Sequence, residues 1–546
     1  MVTSERKRAP FGSWQSPISA ELVASSSNAY FEPKISERGT VFFLELRPLE
    51  KGRYAIVSVS PDGEIRDVIP KEFNARNRVH EYGGGSYEIT NDGSAIFFSN
   101  FADQRVYSVL NGEKAPTAIT TNSNCFYADY DYDQKRGRLV CVQEDHGNPG
   151  EAVNTIVSLP TNENNQPEVL ISGSDFYSTP RISPNGDKIA WLSWNHPLLP
   201  FLGSEVWLGD VSGEGAISNH RLIAGGAEES IAEPRWSPEG ILYFVSDRSN
   251  WWNIYRLAND GVERVAAMDA EFAGPHWIFG LSSYGFVSEK EIVCTYSRDG
   301  FSRIALINAE SKKIQDVDGP FTDVRYVTAS DRFSVVIGGS PSSPSEVSLF
   351  YPGPNEFRRM YPVVKPDRIE HSDLSLPRAI EYPTEGSRKA FALYYAPKNR
   401  HFEGIDGTLP PLIVISHGGP TSRCRSDLNL GIQYWTSRGF GVVDVNYGGS
   451  TGYGREYRMR LKGNWGIVDM DDCVNAAKYL VADKKADSEK LIIRGGSAGG
   501  YTTLSTLAFR TAFKAGASYF GISDLEVFTK DTHKFESRYM DFLESP

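Results

Sequence analysis

The stretch Lys490-Leu491-Ile492-Ile493-Arg494-Gly495-Gly496-Ser497-Ala498-Gly499-Gly500 places a strand, a tight turn and the start of a helix in succession. An apolar run of strand length ends in two glycines, and a helical stretch follows as far as Phe509. Gly495 to Gly499 form G-x-S-x-G, the pattern of a strand-to-helix turn in which only small residues two positions either side of the serine let the elements approach. Such a turn lifts the hydroxyl clear of the strand end, which makes Ser497 the candidate nucleophile. The chain holds 50 glycines, so the five-residue pattern arises easily by chance. Its weight comes from the flanking strand and helix and from what surrounds them.

Three further strand-like runs, Leu412 to Ser416, Gly441 to Asn446 and Ala515 to Tyr519, alternate with helical stretches, the clearest being Asp469 to Ala482. Strands separated by helices predict a mostly parallel sheet covered on both faces, with ligands beyond the carboxyl ends of its strands. His417-Gly418-Gly419-Pro420 lies at such an end. In an α/β-hydrolase this loop supplies one backbone N–H of the oxyanion hole and the residue after the nucleophile supplies the other. The donors are therefore assigned to Gly418 and Ala498. His417 precedes Ser497, whereas the acid and the histidine of this fold follow the serine, so His417 is read as scaffolding of the loop. Asn446-Tyr447-Gly448-Gly449-Ser450-Thr451-Gly452-Tyr453-Gly454 again follows a strand and is expected to line the site, with Tyr447 a candidate substrate contact. No Gly-Lys-Ser/Thr accompanies these glycines, which argues against a nucleotide loop. Asp469 and Asp472 are read as capping and salt-bridging residues of their helix rather than as a catalytic pair.

The preceding half has a different pattern. Turn signals recur ahead of apolar runs: Asn91-Asp92-Gly93 before Ala95 to Phe98, Ser183-Pro184-Asn185-Gly186 before Ile189 to Leu192, and Ser237-Pro238-Glu239-Gly240 before Ile241 to Val245. These residues supply the backbone freedom that tight hairpins require. A degenerate period of roughly 40 to 55 residues with four short strands per unit predicts a β-propeller of about seven blades, in preference to two β-sandwiches. The expected organisation is an N-terminal segment over 1–29, a β-propeller over 30–368 and an α/β-hydrolase domain over 369–546.

At 546 residues the chain is long enough for two or three domains. With 40% hydrophobic and 23% charged residues it fits neither disordered, collagenous nor coiled-coil classes. A net charge of −12 argues against nucleic acid as a partner, because phosphates require a basic face. No apolar run approaches the 18 residues of a membrane span, and no apolar segment follows the charged N-terminus, so neither a membrane partner nor a secretory signal is expected. Five cysteines without metal spacing suit a reducing compartment, and the cytoplasm is the expected location. No motif calls for a metal or other cofactor, and a homo-oligomer stays open.

Taken together, His417 to Pro420, Asn446 to Gly454, Trp465-Gly466 with Asp469 and Asp472, and Gly495 to Gly500 resemble the prolyl oligopeptidase family of serine peptidases. Gly495 to Leu504 and Thr532-His533-Lys534-Phe535-Glu536-Ser537-Arg538-Tyr539 are similar to its acylaminoacyl-peptidase and dipeptidyl-peptidase-like branch. In the propeller half, Val79-His80-Glu81-Tyr82-Gly83-Gly84-Gly85 and Ser246 to Asn253 are consistent with it. The resemblance implies a propeller capping an α/β-hydrolase, with peptide substrates held between them and cleaved through an acyl-enzyme on Ser497. It also implies, for an aminopeptidase, acidic groups that hold the substrate α-ammonium. Glu81 and the Glu228-Glu229 pair, of which Glu229 is the preferred member, are the candidates, while Trp251-Trp252 is read as blade packing.

The family triad runs Ser, Asp, His, with the acid after the seventh strand and the histidine after the eighth. At roughly 30 residues per strand-helix unit, the stretch from Ser497 to Pro546 holds the elbow helix, the strand Ala515 to Tyr519 and one further segment. The last strands of the hydrolase domain, and with them both triad partners, are expected to be missing, leaving an unpaired strand and an apolar sheet face. Asp524 and His533 satisfy the chain order, yet His533 sits in a run that resembles an internal family segment, and both are read as packing and salt-bridge residues. This chain is accordingly expected to be inactive as a peptidase, and its end at Glu544-Ser545-Pro546 to reflect an incomplete gene model, splice form or fragment. Two further readings stand beside this one. The first is a non-catalytic interaction protein built on the propeller; the second is a carboxylesterase, against which the propeller argues.

Overall fold

A computed structural model describes residues 6–25, 28–113, 115–161, 166–361 and 369–544. The expected boundary at 368/369 falls at the edge of 362–368, outside the described residues. Seven antiparallel four-stranded sheets follow one another along the chain, at 29–67, 87–118, 125–171, 176–226, 231–264, 284–317 and 323–359. They are the seven blades of a β-propeller, numbered here in that order. The turn signals join the first strand of a blade to the second: Ser183 to Gly186 connect Phe176–Ile182 to Lys188–Trp194, and Gly186 takes a φ of 72° that a side chain would oppose.

The ties between blades lie outside the hairpin pattern of the sequence. In four inner strands the register shifts at a residue with positive φ: Glu32 (51°), Asp129 (55°), Thr179 (52°) and Glu233 (49°). Each of the three carboxylates reaches forward to the next blade. Glu32 accepts from Gly85 N–H at 2.8 Å and Ser86 N–H at 3.2 Å. Asp129 accepts from Thr179 N–H at 2.6 Å and pairs with Arg181 at 2.7 Å, and Glu233 accepts from Ser283 N–H at 2.7 Å. Burial pushes the Glu32 carboxyl up to about 7 despite the nearby Lys34 and these donors. The repeated signal was present as Glu32-Pro33-Lys34, Thr179-Pro180-Arg181 and Glu233-Pro234-Arg235.

The C-terminal sheet has six strands: β1 (Arg378–Thr384), β2 (Arg388–Tyr395), β3 (Leu412–Ser416), β4 (Gly441–Asn446), β5 (Leu491–Gly496) and β6 (Ala515–Tyr519). Their order is β1-β2-β4-β3-β5-β6, with β4, β3, β5 and β6 parallel. The helix Val468–Ala482 packs Cys473, Val474, Ala477 and Leu480 onto one face of this sheet, so its apolar stripe explains the strand-helix alternation. Among the described residues β6 is paired on one side only, and Leu504, Leu507, Tyr519 and Phe520 beside it are exposed. Residues of the N-terminal segment join this domain: Lys7–Arg8 pairs with Phe402–Glu403, and Trp14 and Ile18 are buried.

Propeller and hydrolase share one hydrophobic cluster that runs from Phe176, Trp194 and Trp252 to Leu461, Trp465, Phe535 and Tyr539. Phe535 is pressed against His80 (ring centroids 5.3 Å apart), Phe176 (5.7 Å) and Trp277 (6.3 Å), and Lys534 Nζ donates to the carbonyls of Ala152 and Asp175. Burial pushes His80 down to about 4, so it stays neutral in the folded chain while an unfolded histidine takes a proton near 6.5. The unfolded state thus binds more protons between pH 6.5 and 4, and stability falls as pH drops through that window. His80→Phe should flatten the loss between pH 7 and 4.5 by about 2 to 3 kcal/mol, read from urea midpoints of both proteins. Identical pH dependence of the two would show that His80 carries no such penalty.

Candidate active site

Ser497 joins β5 to the helix Ala498–Phe509 at φ 52° and ψ −125°, a conformation that side chains other than glycine's rarely adopt. The neighbouring glycines explain the motif in atoms. A Cβ on Gly499 would lie 2.1 Å from Ser416 O, and one on Gly495 would lie 2.3 Å from Gly499 O. Ser416 Oγ donates to Gly499 O at 2.8 Å, and Ser497 N–H donates to Tyr519 O at 3.1 Å, so β3, β6 and the helix all fix the turn.

The loop after β3 stands against the serine: a Cβ on Gly418 would come within 3.5 Å of Ser497 Cβ. Among the described residues neither Gly418 N–H nor Ala498 N–H donates to a protein acceptor. The loop is held from behind. The His417 ring stacks on Tyr447 at 4.3 Å, its Nε2 lies 2.7 Å from Ser450 Oγ, and its Nδ1 lies 2.9 Å from Gly418 O. Burial pushes His417 down to about 4, which leaves it neutral near pH 7. Both ring nitrogens are occupied, in keeping with scaffolding.

Tyr447 is not placed as the sequence reading expected. It is fully buried, and its hydroxyl donates to His417 O at 2.8 Å and Pro420 O at 3.2 Å. It supports the loop from within because its strand carries it under the loop. Asp469 and Asp472 are likewise buried and make no salt bridge among the described residues. Asp469 accepts from Gly466 N–H at 2.7 Å and from Thr502 Oγ1 at 2.6 Å, and Asp472 accepts from Gly448 N–H at 2.7 Å. Their role is to fix glycine turns around the site, and burial raises the Asp469 carboxyl to about 6.

Ser497 opens on a cavity of about 800 Å³ with Pro420 and Ala498 on the hydrolase side and Glu81 and Tyr82 on the propeller side. Glu81 is exposed there at φ 67°. Glu229 is not brought to this cavity; its carboxylate accepts from Ser246 Oγ at 2.5 Å and Arg248 Nε at 2.8 Å, so its lone pairs are committed within its own part of the propeller. Trp252 is fully buried under the Arg458 guanidinium, 4.0 Å from the ring centroid, which agrees with packing.

Asp524 caps the helix Leu525–Asp531 by accepting from Val527 N–H at 3.0 Å. His533 lines the cavity, yet its Nε2 faces Glu536 at 3.5 Å and its ring packs edge-on against Tyr82. Burial lowers its pKa. Among the described residues Ser497 Oγ makes no hydrogen bond to a histidine. Tyr82, His533 and Glu536 form a unit closed by a 2.8 Å hydrogen bond from Tyr82 to Glu536. Both runs that carry it were visible, but no local pattern shows that residues so far apart in the chain meet.

Fold and site together define a propeller-capped α/β-hydrolase with a serine at the strained turn between β5 and the following helix. Residues 426–546 match the model of the prolyl oligopeptidase family. Over its length the chain is similar to a puromycin-hydrolysing peptidase of Mycobacterium tuberculosis, with 36% identity, a TM-score of 0.94, and coverage of 99% of this chain and 85% of that one. A puromycin hydrolase aligns with 33% identity and a TM-score of 0.93 over 99% of this chain and 84% of the other. Dipeptidyl aminopeptidase BIII of Pseudoxanthomonas mexicana is 31% identical over 134 residues, 24% of this chain and only 19% of the relative. The chain belongs to the prolyl oligopeptidase family of serine peptidases.

Proposed function

We propose that Ser497 is the nucleophile of a peptidase acting on short peptides or similar small amides. Its oxygen attacks the scissile carbonyl carbon, the resulting oxyanion takes the N–H groups of Gly418 and Ala498, and collapse breaks the C–N bond. The serine proton passes to the leaving nitrogen, and water then hydrolyses the acyl-enzyme. The observation that carries this reading is the strained Ser497 turn opening on a cavity roofed by the propeller. A roofed cavity favours small substrates over folded proteins, and relatives described as a puromycin hydrolase and a dipeptidyl aminopeptidase support that class. Glu81, exposed on the cavity wall, is the proposed partner of a substrate α-ammonium. The general base and its acid do not lie among the described residues as a pair engaging Ser497, so these residues supply the nucleophile and oxyanion donors of that reaction without the group that speeds it. Five buried, unpaired cysteines support a reducing compartment, with the cytoplasm as the proposed location.

Prolonged exposure of the intact chain to a fluorophosphonate should add one label at Ser497, located by peptide mass spectrometry and absent from Ser497→Ala. A folded chain that takes no label, or takes it equally on other serines, would favour the non-catalytic interaction protein instead.

A further inference from the structure

The loop that brings Gly419 and Pro420 to the Ser497 cavity continues to Ser422, Arg423 and Arg425, which line a second cavity of about 370 Å³ between hydrolase and propeller. Blade 7 contributes Asp323, Arg325 and Tyr326 to it. Asp323 is buried, 3.0 Å from Arg425 and 3.7 Å from Arg423. Asp427 lies 3.0 Å from Arg425 and 3.5 Å from Arg325. Three guanidinium groups thus share these two carboxylates.

Two donors are unspent. Arg325 Nε and Arg423 Nη1 are buried and make no hydrogen bond: Arg423 Nη1 faces an Asp323 oxygen at 3.7 Å, beyond hydrogen-bonding reach, while Arg423 Nη2 reaches Ser302 Oγ at 3.1 Å. Burial, reinforced by the neighbouring Arg425 charge, pushes Arg325 down to about 10, as expected where like charges crowd. Two carboxylates of the propeller, Glu233 and Glu271, also line the cavity. The first accepts from Ser283 N–H and the second from Trp252 and Gly454 N–H, and burial raises both toward the neutral form. Phe272, Trp277, Leu281, Tyr296 and Tyr326 give the wall an apolar and aromatic portion, interspersed with hydroxyls such as Thr295 and Ser297.

We propose that this cavity binds the free carboxylate of a short peptide with an apolar or aromatic terminal side chain, Arg325 Nε and Arg423 Nη1 donating to its oxygens. Two donors from separate guanidinium groups suit a two-oxygen carboxylate better than a phosphate, and the aromatic side chains supply burial for the side chain beside it. The site goes beyond the Ser497 chemistry and does not rest on it.

Calorimetric titration of the full chain carrying Ser497→Ala, so that no probe is cut, tests the proposal with N-acetyl-glycyl-phenylalanine and its C-terminal amide. The acid should bind at least about 10-fold more tightly than the amide, the scale of a charge-assisted hydrogen bond. Arg325→Gln and Arg423→Gln should each remove the difference. Equal affinity of acid and amide for the chain with both arginines overturns the proposal without reference to any arginine variant's folding. A preference that survives both substitutions overturns it as well, and so does inorganic phosphate binding as tightly as the acid.

Discussion

Hydrolysis of a dipeptidyl p-nitroanilide by this chain should run about 10⁴- to 10⁶-fold below that of a family member with a complete Ser-Asp-His triad. The physical reason lies in the protonation of the nucleophile. A serine hydroxyl is a weak nucleophile until a base takes its proton, and neither histidine near Ser497 is free to do so. His417 is occupied at both nitrogens and held neutral by burial, while His533 faces Glu536 and Tyr82. The Gly418 and Ala498 N–H groups remain, and an oxyanion hole with substrate binding alone retains roughly 10³- to 10⁴-fold over water. Triad residues act as a unit, so Ser497→Ala should change that residual rate only a few-fold. Turnover within about 100-fold of a complete enzyme, abolished by Ser497→Ala, would sink this expectation and require a base among the residues present. His533→Gln would then identify or exclude the histidine that lines the Ser497 cavity.

Asp247→Ala should cost about 3 to 5 kcal/mol of stability, read from the urea midpoint, because it strands a buried charge. Asp247 and Arg458 are both fully buried, and Asp247 also holds Arg455 at 2.7 Å. The two arginines come from the hydrolase and the aspartate from the loop joining the second and third strands of blade 5, so the cluster fastens the two parts to each other. Without Asp247, Arg458 keeps Glu271 at 3.9 Å and the Trp252 face at 4.0 Å. Neither replaces the lost partner, since the Glu271 carboxyl is itself raised to about 7 by burial. Pairing Asp247→Leu with Arg458→Met should recover most of the loss, as apolar replacements of buried ion pairs do. A shift below about 1 kcal/mol for Asp247→Ala alone would mean that water reaches the cluster.

Much of this architecture was legible because its determinants are local. Hairpin glycines such as Gly186 and the spacing Gly495-x-Ser497-x-Gly499 each encode a backbone demand within five residues, and strands β3, β4 and β6 fall where apolar runs placed them. What stayed hidden depends on three-dimensional company. Tyr447 and Glu229 carry side chains suited to a site, but the fold turns one under its loop and commits the other to Arg248. Asp469 and Asp472 look like helix-surface acids in sequence and become the buried anchors of Gly466 and Gly448. Arg325 meets Arg423 and Arg425 only because blade 7 comes round to the hydrolase.

The forward-reaching bulges at Glu32, Asp129 and Glu233 give the propeller a direction. Each grips the blade made after it and so couples three pairs through carboxylates, while bonds such as Asp129 N–H to Gly85 O and Val327 N–H to Ser282 O, both 2.8 Å, tie junctions between them. During synthesis Glu32 has no backbone donors to accept from until Gly85 and Ser86 emerge, and each later pair repeats that wait with its own partner. New chain ends placed between blades 2 and 3 would leave every pair contiguous. Ends placed between blades 3 and 4 would make Asp129 find Thr179 from the opposite terminus, converting a neighbour contact into the slowest closure in the ring.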